Sequence, residues 1–210
     1  RRDESSKFSA DNRVGYVPSV SAGWWISNEK FFNVSWVDDL KLRANYGILG
    51  TYNNSWWDWV ELIKYFTQAV FGEKQEIVTG MTQVKLVNEN LKWEKLTQLN
   101  VGLDASLFRN RLNLSLDYFL KETKDVLTPM QILNSTGNNG GDPWVNAATL
   151  ENQGIELSVT WRDRSSRDWS YSVNLNGSYL NNKIKELGYG RKEFTQWDTK
   201  SKVGNPIGEW

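Results

Sequence analysis

The chain of 210 residues has no cysteine and no histidine. Their absence rules out a disulfide framework, a cysteine-based zinc site, and the Ser-His-Asp and Cys-His nucleophile systems within these residues. Lys plus Arg and Asp plus Glu number 25 each, for a net charge of zero. A nucleic-acid binder needs a clustered excess of Lys and Arg to displace counterions from phosphates, and this balance argues against one. No apolar run approaches the roughly twenty residues of a membrane helix, so the chain does not span a bilayer as a helix. No phosphate-cradling glycine motif of the P-loop or dinucleotide kind occurs.

What the chain does have is alternation. Leu40, Leu42, Ala44, Tyr46 and Ile48 interleave with Lys41, Arg43, Asn45 and Gly47. Leu99, Val101, Leu103, Ala105 and Leu107 interleave with Gln98, Asn100, Gly102, Asp104 and Ser106. Leu112, Leu114, Leu116, Tyr118 and Leu120 face away from Asn113, Ser115, Asp117 and Lys121, and Trp169, Tyr171, Val173, Leu175 and Tyr179 face away from Ser170, Ser172, Asn174, Asn176 and Ser178. Strands of soluble sheets average about five or six residues, whereas a tilted strand crossing a bilayer needs about nine to eleven. These runs have the longer length. When one face meets lipid and the other water, only every second residue need be apolar, which is how a negative mean hydropathy coexists with a membrane wall. The 12 tryptophans fit the same picture, because an indole prefers a place where one edge is apolar and the other wet.

Two further strands complete a set of six. One, about Pro18 to Ile26, precedes a short helical turn in SNEKFFNVSWVDD, with Ser27 as its cap and Glu29 in its first turn. The other is QGIELSVTW, with Ile155, Leu157, Val159 and Trp161 out and Glu156, Ser158 and Thr160 in. The connections alternate: short after Ile26, long from Gly50 to Trp93, tight at Arg109-Asn110, long from about Asp125 to Glu151, short at RDRSSRD, long from Asn181 to Gly204. In an up-and-down barrel that parity puts the tight turns on the periplasmic rim and the long loops outside the cell. The expected fold is all-β: part of a large antiparallel transmembrane β-barrel, about six complete strands plus the start of a seventh at NPIGEW. The polar opening and the absence of a signal peptide read as a piece cut from the middle of something larger.

Several strings, GYVPSVSAGWWIS, WVDDLKLRANYGILG, NENLKWEKLTQLNVGLDASLFRNRLNLSLDYFLKETKDVL, NQGIELSVTW and VGNPIGEW, together resemble the SusC/RagA-type TonB-dependent transporters of Gram-negative outer membranes. The resemblance implies a barrel of about 22 strands, occluded by an N-terminal plug and capped by a SusD-like surface lipoprotein. It implies import of glycans, or less readily peptides, energised through TonB, in contact with outer-membrane lipids and with no nucleic acid. The expected domain is residues 1–210 as a barrel segment, with plug and closing strands outside it. Two positions depart from the family pattern: Trp25 stands where a basic residue is usual, and Glu89 where proline is usual.

Candidate substrate contacts come in two groups. In the first long loop, Trp56, Trp57, Trp59, Tyr65 and Phe66 cluster among polar groups and suit stacking on sugar rings. The competing reading is an amphipathic helix with Trp56, Val60, Ile63 and Phe66 on one face, packed on a loop or on the lipoprotein. The second group is the inward row of Asn45, Asn100, Asp104, Asp117, Glu156, Asn174 and Asn176, set to line a substrate path or to pair with one another, as Arg43 and Asp104 would. Outward tryptophans among Trp24, Trp36, Trp93, Trp144, Trp161 and Trp169 read as an interfacial girdle. The loop STGNNGGDPW lacks the ordered ligand spacing of a calcium loop, so neither metal nor cofactor is expected. Two rival functions remain. One is a soluble all-β carbohydrate-binding module with its apolar rows hidden in a sandwich. The other is a hydrolase using Asp104 and Asp117 as an acid and base pair.

Overall fold

The computed structural model describes residues 1–53, 58–83, 85–136, 141–164, 168–196 and 199–208. Twelve strands are formed among them: β1 (Arg2–Glu4), β2 (Val14–Tyr16), β3 (Ser19–Trp25), β4 (Val37–Thr51), β5 (Ile63–Phe71), β6 (Glu76–Gln83), β7 (Glu94–Leu107), β8 (Leu112–Pro129), β9 (Trp144–Arg164), β10 (Ser170–Glu186), β11 (Glu193–Gln196) and β12 (Thr199–Lys202). The six long alternating runs build one antiparallel sheet, in the order β10-β9-β8-β7-β4-β3. Apart from the β5–β6 excursion between β4 and β7, its neighbours follow chain order, as in an up-and-down wall. The sheet stays open, with β3 and β10 at its edges.

Register turns the alternation into rungs. Trp24, Leu42, Leu103, Leu116 and Leu157 lie side by side across five strands. The next rung is Ala44, Val101, Tyr118, Ile155 and Tyr179. No second layer covers these rows among the described residues: Leu116 and Tyr118, in the middle of the sheet, are each 40% exposed. A sandwich would bury them. On β8 the apolar run from Leu112 to Leu120, at about 3.4 Å per residue and a tilt of about 40°, covers about 21 Å of depth, close to the apolar band of an outer-membrane barrel.

At the short-turn end, Arg109 and Asn110 have φ of 60° and 59° and the Arg111 amide donates to the Phe108 carbonyl at 3.4 Å. With Phe108 at φ 57°, three successive residues are left-handed in this four-residue connection between Leu107 and Leu112, and Asn110 supplies the one residue type among them that tolerates it readily. The turn after β3 differs from expectation. A 3-10 turn spans Ile26–Asn28, with Trp25 at its start, and Ser27 sits inside it rather than capping it. The Ser27 hydroxyl instead donates to Asp39 at 2.9 Å.

At the other end, the strands outrun the alternation. The segment from Asp125 to Glu151, expected as a loop, is strand at both ends: β8 continues to Pro129 and β9 starts at Trp144. A bulge at Asp125, with φ of 57°, shifts register and breaks the period-2 signal there. Likewise β10 runs on to Glu186, and the long segment after it holds the β11–β12 hairpin. Residues 205–208, where a seventh strand was expected to begin, form a turn.

These extensions carry the small core of the chain. Phe8, Leu91 and Leu127 are buried together, and Tyr52, Trp59, Trp93 and Trp144 pack against them. Glu94 receives the Leu127 amide at 2.9 Å, beside the bulge. Asn146 accepts the Lys92 amide and donates to the Lys92 and Asp125 carbonyls, each at 2.8 Å, which ties NENLKWE to the β8–β9 extension. Trp93 and Trp144 therefore belong to this cluster and not to a girdle.

Candidate functional site

The polar face of the sheet holds its strongest interactions at mid-height. Arg43 on β4 grips Asp104 on β7 with two bonds, Nε at 2.6 Å and a terminal nitrogen at 2.9 Å. The same terminal nitrogen reaches Asp117 on β8 at 3.1 Å. β7 lies between β4 and β8, and Gly102 is the β7 residue in register with both Arg43 and Asp117. A Cβ at Gly102 would stand 2.7 Å from the guanidinium, so only glycine leaves room for it to cross. Ser115 completes the cluster, donating its one hydroxyl proton to Asp104 at 2.8 Å with Asp117 3.2 Å away.

The inward candidates fall on this one face. Asn45 and Asn100 are cross-strand neighbours, as are Asp117 and Glu156. Asn176 lies opposite Ser158, and Asn174 opposite Thr160. Ser115, Asp117, Glu156, Ser158, Asn176 and Ser178 line an open recess of about 340 Å³. Trp25 also takes this face, with the Lys41 ammonium 3.9 Å from its ring centre. Phe119 is an inward residue that alternation did not single out; it lies against Gly154 with Lys121 5.2 Å above its ring. Gly102 and Gly154 were the signals available in the sequence, since glycine inside a strand marks a close approach.

Two of the loop aromatics have described side chains, and they part company. Trp59 packs toward the Phe8 cluster, while Tyr65 stands exposed on the β5–β6 hairpin. Trp56 and Trp57 lie outside the described residues, and Phe66 falls in β5 with its side chain outside them. The amphipathic-helix reading is overturned: from Ile63 the segment is a strand paired with β6. In that hairpin Ile63, Tyr65, Val70, Ile77 and Met81 share one exposed face.

On the opposite face, aromatics gather at the short-turn end. Trp36 stacks on Phe108 at 6.0 Å, and Trp24 lies 6.4 Å from Phe31 while donating to Glu29 at 2.9 Å. Trp161 and Trp169 lie at the same end, at the finish of β9 and just before β10. Beyond the apolar band at the other end, Glu122 and Glu151 face each other across β8 and β9. Lys185 bridges them at 2.8 and 2.7 Å. Its ammonium, helped by Lys124 at one and Lys183 at the other, holds both carboxyls below the usual glutamate range.

A two-faced antiparallel wall, greasy and uncovered on one side, ion-paired on the other and fringed with aromatics, is a piece of a transmembrane β-barrel. The chain belongs to the TonB-dependent receptor-like β-barrel family, whose model matches residues 1–209. It is 37% identical over 196 residues to "TonB-dependent receptor P3" of Formosa agariphila, covering 92% of this chain and 19% of that protein. It is 35% identical to "TonB-dependent receptor SusC" of Bacteroides thetaiotaomicron, covering 90% and 19% respectively. In shape it matches the RagAB peptide importer in its "open-open" state with a TM-score of 0.84 and 26% identity, over 98% of this chain and 22% of that one. The chain thus spans about a fifth of the length of its curated relatives.

Proposed function

We propose that this chain is wall from a TonB-dependent importer in the outer membrane of a Gram-negative bacterium. The uncovered apolar rungs, with the Arg43 cluster directly behind them, carry that reading. One face suits hydrocarbon and the other suits an aqueous passage. In the full-length protein the lumen face would meet a plug, TonB would act through that plug, and a SusD-like lipoprotein would cover the long-loop end.

The cargo in this reading is a large nutrient. A glycan is the first choice, resting on polar groups along the recess and exposed aromatics such as Tyr65 in the long-loop region. A peptide is the second, favoured by the likeness to a peptide importer. Asn45, Asn100, Asp104, Asp117, Glu156, Asn174 and Asn176 would line the path. The wall takes no catalytic part, because Arg43 holds both Asp104 and Asp117 and leaves that carboxylate pair without a free acid and base. Deleting the full-length gene and growing the strain on single glycans and on defined peptides tests the proposal. Loss of growth on one glycan alone supports the first reading, loss on peptides alone the second, and unchanged growth on all overturns both.

A further inference from the structure

Above the apolar band the outward row becomes cationic. Lys95 and Lys124 stand directly opposite each other in the β7–β8 ladder, on the face of Leu99 and Leu120, with no register slip between. Cross-strand partners on one face have Cβ atoms about 4.5–5.5 Å apart, and like charges there oppose pairing. Lys124 leans to Glu122 at 3.1 Å, but Glu122 is shared with Lys185. Lys95 makes no ion pair among the described residues; Asp11 lines the same cleft of about 230 Å³ without bonding it. Lys183 and Lys185 continue the row beside Glu122 and Glu151. Four ammonium groups against Glu122, Glu151 and Asp11 leave one positive charge in excess, nearest Lys95 and Lys124.

A bilayer presents the headgroups of its lipids at this height, immediately beyond the hydrocarbon. The geometry points to a lipid phosphate site on the outward face, in which Lys95 and Lys124 hold the phosphate of a membrane lipid while its acyl chains lie on Leu99 and Leu120. The inference rests on the barrel reading above. It explains why two lysines are placed face to face although only Lys124 has an ion-pair partner, one it shares with Lys185. Phosphate oxygens accept from both ammonium groups and remove the repulsion between them.

The test uses the full-length protein containing this chain, reconstituted in vesicles, with phosphatidic acid, diacylglycerol of the same chains, and inorganic phosphate as probes. Native mass spectrometry reads retained lipid. Phosphatidic acid should be retained and diacylglycerol not, and Lys95→Gln with Lys124→Gln should weaken retention about tenfold or more, as expected for two lost interfacial cations. Lys64→Gln, on the hairpin, should change nothing. Equal retention of diacylglycerol, an unaffected double variant, or displacement by inorganic phosphate overturns the lipid site while leaving the barrel intact. Failure to insert, read by protease protection and by heat-modifiable migration, overturns the barrel reading and this site together.

Discussion

Arg43 touches Asp117 across an intervening strand, at 3.1 Å, through a gap that Gly102 leaves open. One guanidinium thereby ties three strands of the wall together on the water-facing side, where no apolar packing is available to do so. Planar, forked donors suit this task in a way a lysine ammonium does not.

Gly102→Ala should therefore separate Arg43 from Asp117 while leaving the two-bond grip on Asp104. The ion pair is partly exposed, so its loss is worth about 0.2–1 kcal/mol. Urea unfolding of the full-length protein in vesicles reads the change. No further destabilisation on adding Asp117→Asn to Gly102→Ala would show that the lost contact is the cause, and a further loss would assign the effect to general crowding.

Sidedness has a sharper test. Leu116→Lys places a charge at the middle of the apolar face and should cost about 2–4 kcal/mol of folding into a bilayer. Ser158→Lys, inward on the neighbouring strand, should cost far less. Equal penalties at the two positions, measured as folded yield in lipid vesicles, would mean the faces have been assigned wrongly.

Asn146 is the clamp of the extension at the long-loop end. Asn146→Ala removes its bonds to the Lys92 amide and carbonyl and to the Asp125 carbonyl, with an expected cost of about 1–3 kcal/mol from groups left unsatisfied. Hydrogen exchange should quicken at residues 90–94 and 124–127 and stay unchanged at residues 99–107. Uniform protection throughout would deny the clamp its role.

Acid should loosen the Glu122–Lys185–Glu151 bridge. Both carboxyls titrate below their usual value in the folded chain, so their stabilisation is complete above that usual value and is lost as pH falls through the lowered one. Lys185 is shifted upward by the same contacts, and its share is present below the ordinary lysine value. Lys185→Gln should lower the Tm at pH 7, where the facing carboxylates then repel, and the difference should close as pH falls through the lowered carboxyl values and both groups protonate. A difference that persists in acid would assign the effect to packing of the lysine stem.

The sequence alone determined the two faces, the approximate course of the six long strands and the end at which the tight turns lie. The reason is that lipid on one side and water on the other impose a choice at every residue, so Leu112, Leu114, Leu116, Tyr118 and Leu120 write their geometry directly into a period of two. Arg109-Asn110 is legible for a similar local reason, because a tight turn of left-handed backbone favours a residue such as Asn that accepts positive φ. Tertiary structure decided the rest. Past the bilayer that two-sided constraint ends, so the continuation of β8 to Pro129, the start of β9 at Trp144 and the β5–β6 hairpin left no periodic trace. Of the loop aromatics, Trp59 is drawn to Phe8 and Tyr65 is left on the hairpin, because burial depends on which distant segment arrives. Arg43, Gly102 and Asp117 meet through register between strands far apart in the chain, and no local pattern encodes a contact of that kind.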